Sequence, residues 1–181
     1  MGHSIKPIRI QDGGHQLMAA LGQLYEASFP EQERRTMPQL LQLLPEPGMH
    51  VHALTLGGQM AGLSIHWLFD DFLFLEHLAI IPPLLGQQLG RQAVQWLQAQ
   101  TKGPLVLEVE HPVHETSRRR IAFYERSGLI LHPDFPYQQP SYQKGGAPVP
   151  MHLMTSETVA DSALHNIAAT IRQHVYERFY V

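Results

Sequence analysis

The chain lacks cysteine altogether. Disulfides are thereby excluded, no thiol is present to carry an acyl group, and the cytoplasm, a reducing compartment, is the expected setting. Charge is scarce too: Asp, Glu, Lys and Arg make up 16% of the residues, against about 25% in an average globular chain. The net charge is -3 and the longest basic run is Arg118-Arg119-Arg120, so nucleic acid is not an expected partner. No apolar stretch reaches the roughly 18 residues of a membrane span, and the N-terminus lacks the apolar core of a signal peptide. Met1-Gly2 opens as a myristoylation signal would, but Lys6 stands where that signal needs Ser or Thr.

What is present is 181 residues with 44% hydrophobic content, which suits one domain, 1–181, with a sizeable core. Polarity comes partly from 17 Gln and 12 His. Ile5, Ile8 and Ile10 indicate a first strand, and Leu17, Leu21, Leu24 and Tyr25 a helix that ends by Pro30. Thr36 is placed to cap a second helix, with Pro38 in its first turn and Pro45 as its stop. Residues 50–56 and 59–69 flank Gly57-Gly58, a hairpin signal. The apolar run Phe72–Ile80 reads as a buried strand, closed by Pro82-Pro83. Leu89, Ala93, Trp96 and Leu97 then form the stripe of a helix.

Residues 105–110 alternate, with Leu105, Leu107 and Val109 on one face and Val106, Glu108 and Glu110 on the other. Residues 116–127 read as a helix with Gly128 as its left-handed cap, and 129–131 as a short strand. Prolines and glycines crowd 132–150, which reads as an irregular excursion before a last strand at 149–155. Leu164, Ile167, Ala168, Ile171, Val175 and Phe179 mark a long amphipathic helix over about 157–179.

The centre of this layout is the turn Leu85-Gly86-Gln87-Gln88-Leu89-Gly90. A strand, a glycine-bearing turn and a helix together aim unpaired backbone N–H groups at an anion, most often a phosphate. It is not a P-loop, because Leu89-Gly90-Arg91 replaces Gly-Lys-Ser/Thr, and two glycines cannot make G-x-G-x-x-G. The stretch resembles the acetyl-CoA segment of the GNAT acetyltransferases, where a loop Arg/Gln-x-x-Gly-x-Gly/Ala cradles the CoA pyrophosphate. Gly86 and Gly90 match that pattern. Leu85 departs from it by removing a side-chain phosphate contact, and Gln88 replaces a glycine at little cost if its backbone is helical. A second fragment, Arg119–Leu129 (RRIAFYERSGL), is similar to the family's fourth-helix signature.

The element order over about 5–155 resembles the same fold, with the C-terminal helix outside it. The resemblance implies an α/β (α+β) architecture: a mixed central sheet flanked by helices and split where the cofactor enters. It implies acetyl-CoA as co-substrate, no metal, and transfer of the acetyl group to a primary amine of a small molecule or peptide. The implied cofactor contacts are Leu85, Gly86, Gln87, Gln88, Leu89, Gly90 and Arg91 at the pyrophosphate. The backbone of Leu78, Ala79 and Ile80 serves the pantetheine.

Such a reaction needs the amine deprotonated, the carbonyl polarised and the departing thiolate reprotonated. Tyr124 matches the family's general-acid tyrosine, and a phenol with pKa near ~10 can donate as charge develops on sulfur. Glu76 sits alone in an apolar strand: either it is the general base, as in many relatives, or it is paired with a nearby histidine or arginine. Glu108 and Glu110 are reserve candidates, and with Glu76 they would form an acidic mouth for a cationic amine. Tyr137, Gln139 and Tyr142 are candidates for a lid over the acceptor, or else pack their own loop. Two other readings stand beside this one: a non-catalytic acyl-CoA-binding or sensing domain of the same fold, and a histidine-rich metal-binding or interaction protein. The apolar C-terminal helix is expected to pack at a sheet edge or to build a homodimer.

Overall fold

The computed structural model describes residues 4–180; the Met1-Gly2 start and Val181 lie outside them. Seven strands form one sheet in the order β1-β2-β3-β4-β5-β7-β6. β1 (Lys6–Ile10), β2 (Met49–Leu56), β3 (Gln59–Leu68) and β4 (Leu73–Ile80) pair antiparallel in succession. β4 and β5 (Leu105–Glu110) form a parallel pair. β5 and β6 (Ile130–Gln139) each pair antiparallel with β7 (Val149–Thr155). A parallel pair needs a crossover, here α3 (Leu89–Gln98), and α4 (Glu115–Arg126) follows β5.

Local chemistry sets the boundaries. Thr36 caps α2 (Met37–Leu43) with a reciprocal pair: Gln39 N–H donates to the Thr36 hydroxyl at 3.3 Å, and Thr36 N–H to the Gln39 side chain at 2.8 Å. Such a cap contributes roughly 1 kcal/mol. The β2–β3 turn is Gly57-Gly58, both at positive φ, as the hairpin signal requires.

The alternation of β5 sorts the two faces. Leu105, Leu107 and Val109 join one core with Val94 and Leu97 of α3 and Ile121 and Tyr124 of α4. Val106 belongs to the opposite core, with α1 (Met18–Ser28), α2 and the C-terminal segment.

Three expectations are corrected here. The excursion at 132–150 is mostly strand: β6 continues through Pro133 and Pro136 to Gln139. Proline is tolerated because β6 is the sheet edge, and both prolines fall in a bulge between His132 and Tyr137. The C-terminal helix is also not uniform. α5 (Asp161–Ile171) passes into a π-helical turn, Arg172–Glu177, before a last α-turn, Arg178–Tyr180. Nor does it lie at an edge. Leu164, Ile171, Val175 and Tyr176 are fully buried within the chain's own core. α1 contacts β3 and β4, which leaves the β5–β7–β6 half of that face for the C-terminal segment. Its stripe therefore gives no reason for a homodimer.

Candidate active site

The site begins where β4 and β5 part. They pair only over Leu73–Leu75 with Leu105–Leu107. Beyond that point β4 keeps its β3 partners up to Ile80, and β5 keeps β7 up to Glu110. Their facing edges are free, a wedge lined by unpaired main chain.

A bulge marks the divergence. β3 pairs Ile65 with His77 and His66 with Leu75, so Glu76 is the extra residue. Its side chain is 0% exposed although the residue as a whole is half-buried, which makes its main chain the exposed part. Leu78 and Ile80 are likewise half-buried, and Ala79 is buried. These are the backbone positions expected to meet a pantetheine.

At the end of the wedge, Pro82–Leu84 forms a 3-10 turn and Gly86 takes φ 82°, a left-handed turn suited to glycine. Gln88 heads α3 with φ 61° and offers no side-chain cap. The condition for a low cost, a helical Gln88, is therefore not met: the residue occupies the left-handed region, which glycine adopts without strain. Leu85 is 65% exposed, and Gln87 and Arg91 are exposed beside it. The buried Leu89 anchors the turn to the core. A Cβ on Gly90 would lie 3.0 Å from the Phe123 ring, so glycine lets the start of α3 approach α4. With no cap and no acidic residue in the first turn, the N–H groups at this helix start are left for an anion.

Phe123 and Tyr124 thus meet two parts of the same path. Phe123 lies against Gly90 at the start of α3, while Tyr124 packs among Leu75, Leu107 and Val109 where the strands part. Tyr124 is 8% exposed, and among the described residues no hydrogen bond ties up its hydroxyl. Burial pushes its phenol up to about 12, against a smaller lowering by Arg120. It is a neutral donor at neutral pH.

On the other face, Glu76 resolves its two readings in favour of pairing. Its Oε1 accepts from Arg35 Nη1 and from the Tyr142 hydroxyl at 2.7 Å, and its Oε2 accepts from Trp67 Nε1 at 2.8 Å. Burial would raise this carboxyl, but the Arg35 charge, His77 and those donors outweigh it and hold it below the usual range. Arg35 is itself 0% exposed, and its Nη2 donates to the Val175 carbonyl at 3.2 Å. A carboxylate held ionised by a buried guanidinium is a poor proton acceptor. Sequence reasoning missed Arg35, which lies 41 residues away in the α1–α2 link; no local pattern names such a partner.

Glu108 behaves oppositely. Its Oε1 accepts from the Tyr137 hydroxyl, and its Oε2 from Gln139 Nε2 at 2.9 Å and the Tyr176 hydroxyl at 2.8 Å. Burial dominates over these donors and raises the carboxyl to about 7. Tyr137 and Tyr142 thus point inward, as donors to the two glutamates. Glu110 lies toward the mouth, 3.8 Å from Arg120. Burial and the Glu110 carboxyl beside it raise Glu33 of the α1–α2 link.

The histidines do not assemble a metal centre: among the described residues no group of three or more His, Cys, Asp or Glu could hold an ion. His52 and His66 instead stack on each other and meet the Trp96 ring of α3 edge-on, with His50 tilted beside them. One surface cleft of about 310 Å³ lies beside Asp71 and α5, and another of about 430 Å³ lies at the β6 bulge, where Tyr137 and Arg172 line it.

A split mixed sheet, an uncapped helix start at one end of the wedge and a buried tyrosine beside it define an acyl-CoA-binding architecture. Residues 18–129 match the model of the acetyltransferase (GNAT) family, and the chain belongs to that family. A solved structure from Bacteroides thetaiotaomicron, assigned to the GNAT family, is 30% identical. It covers 94% of this chain and 98% of its own, with a TM-score of 0.86. A GNAT acetyltransferase from Elizabethkingia anophelis with acetyl-CoA bound is 14% identical over 86% of this chain and 99% of its own, at TM-score 0.57. Arabidopsis thaliana Naa50, in complex with the bisubstrate analogue CoA-Ac-MVNAL, is 13% identical over 86% and 99%, at TM-score 0.61. A search of curated proteins finds no significant match.

Proposed function

We propose that this protein transfers the acetyl group of acetyl-CoA directly to a primary amine of a small molecule or peptide. The observation that carries the reading is the wedge between β4 and β5, with Tyr124 packed where the strands part. Membership of the family and the acetyl-CoA bound in the Elizabethkingia anophelis structure support it. Acetyl-CoA would supply a carbonyl carbon activated by its thioester. The backbone of Leu78, Ala79 and Ile80 would hold the pantetheine, and Leu85–Arg91 the pyrophosphate. Tyr124 keeps a proton where the departing sulfur needs one. No cysteine exists to carry the acyl group, in keeping with direct attack.

Glu108 is the better proton acceptor of the two glutamates. A base works best when its pKa lies near the working pH, and Glu108 sits at about 7 while Glu76 is held low by Arg35. Glu33 and Glu110 at the mouth favour a cationic amine. In the Naa50 complex the bound analogue is peptidic; a peptide amine therefore belongs among the acceptors to try. The expected setting is the cytoplasm, and no helix of the described residues is long and apolar enough to cross a membrane. An acyl-CoA-sensing role is the second reading, favoured by the exposed Leu85 where relatives place a phosphate-binding side chain.

Titration calorimetry with CoA, followed by mass spectrometry of polyamines, amino sugars and peptides incubated with acetyl-CoA, tests the proposal. Binding with a mass gain of one acetyl group on an amine is expected. Binding without transfer to any amine favours the sensor, and no binding at millimolar CoA removes both readings.

A further inference from the structure

The C-terminal segment lies outside the matched residues 18–129, yet it reaches both sides of the wedge. Its π-helical turn, Arg172–Glu177, places two adjacent groups against the site. The Tyr176 hydroxyl donates to Glu108 Oε2 at 2.8 Å, and Gln139 Nε2 bonds the same hydroxyl at 3.0 Å. The Val175 carbonyl accepts from Arg35 Nη2, the guanidinium that holds Glu76. One turn is therefore tied to Glu108 of β5 directly and to Glu76 of β4 through Arg35. A π turn inserts a residue into an α-helix and is found most often at functional sites. Here the insertion brings Val175 and Tyr176, both fully buried, to the network together.

We propose that this turn is a working part of the acetyl-transfer site, with Tyr176 a positioning residue that keeps Glu108 oriented and ionised to take the amine proton. The inference rests on the reading of amine acetylation above. In the step it serves, the ammonium gives one proton to the Glu108 carboxylate. The freed nitrogen forms a C–N bond to the acetyl carbon while the C–S bond breaks. The thiolate takes the Tyr124 proton, and the second proton lost by nitrogen returns to Tyr124 through solvent.

The groups facing Glu108 come from four elements. Tyr137 and Gln139 stand on β6, Tyr176 on the π turn, Tyr142 on the β6–β7 link, and Glu76 on β4 with Arg35 behind it. Each donor favours the carboxylate form, whereas burial and the Glu76 charge favour the acid. Removing the Tyr176 hydroxyl deletes one donor and leaves its ring in place. Glu108 then holds its proton to higher pH. A tyrosine that only packed the helix would alter stability and leave this titration unmoved.

The test is the pH dependence of kcat/KM on the full chain, with two acceptor amines of different basicity. The limb common to both belongs to the enzyme. The wild type is expected to lose activity below about pH 7. Tyr176→Phe moves that midpoint upward by about half a pH unit or more, and Tyr137→Phe, on the other carboxylate oxygen, moves it the same way. Glu108→Gln abolishes the limb and lowers the plateau by roughly tenfold or more, with CoA affinity unchanged by calorimetry. A limb that stays put in both phenylalanine variants overturns the role of Tyr176. Full activity with an unchanged limb in Glu108→Gln overturns the role of Glu108. Failure of the wild type to bind CoA would instead strike the acetyl-transfer reading itself.

Discussion

Glu76 and Glu108 stand one residue beyond the last paired positions of β4 and β5, Leu75 and Leu107, yet burial has opposite outcomes for them. Arg35 holds Glu76 as an anion, while Glu108 has only neutral donors and is raised to about 7. The first is suited to fixing the strand bulge, the second to exchanging a proton.

Glu76→Ala is expected to destabilise the protein by about 3–5 kcal/mol, because it leaves the Arg35 charge buried and unpaired. Urea unfolding measures it. A loss below about 1 kcal/mol would mean that the pair contributes little to the fold.

Gln88→Gly is expected to stabilise the fold by about 1 kcal/mol, since a non-glycine side chain at φ 61° is strained. That corresponds to a rise of roughly 2–4 °C in the thermal midpoint for a chain of this length. An unchanged or lowered midpoint would show that Gln88 makes a compensating contact.

Acid should weaken the fold through its buried histidines. Burial lowers His52 and His77 to about 4. Burial, then the neighbouring His52 and His50, lower His66 to about 2. Their ordinary value is 6.5, so below it the unfolded chain binds more protons than the folded one. Their contribution is complete above about pH 6.5 and is lost as pH falls towards 4. Glu108, raised from 4.5 to about 7, runs the other way in the same window. The lowered histidines outnumber the raised carboxyls, Glu108 and Glu33, and leave a net loss. Urea midpoints between pH 7 and 4.5 should fall, and His66→Leu, whose Nδ1 has no partner to lose, should flatten the slope. A pH-independent midpoint would contradict this.

A chain ending at Ser156 should fail to fold into a soluble domain. The segment it lacks carries Leu164, Ile171, Val175 and Tyr176, all fully buried against the sheet, each contributing roughly 1.5–3 kcal/mol. A soluble, cooperatively unfolding product would show that the face is covered in another way.

Features with a local cause were legible in the sequence. The Thr36 cap, the Gly57-Gly58 hairpin and the alternating faces of β5 each follow from a few adjacent residues. Features set by distant partners were not. The Arg35–Glu76 pair joins a link to a strand, the bulge at Glu76 depends on β3, and Tyr176 meets Glu108 across 68 residues. Pro133 and Pro136 suggested a loop because their tolerance depends on β6 being the edge, which only the sheet order reveals. A periodic stripe cannot announce a π turn, since one inserted residue still leaves Val175 and Tyr176 buried.

The central claim is direct transfer with Tyr124 as proton donor to the departing sulfur, and Tyr124→Phe tests it most directly. Steady-state turnover on an accepted amine should fall by about 10²-fold or more, the scale of general acid catalysis. CoA affinity by calorimetry should stay within about twofold, because the hydroxyl is needed only as negative charge develops. Turnover equal to wild type in a folded Tyr124→Phe protein would contradict the claim and leave Tyr124 a packing residue.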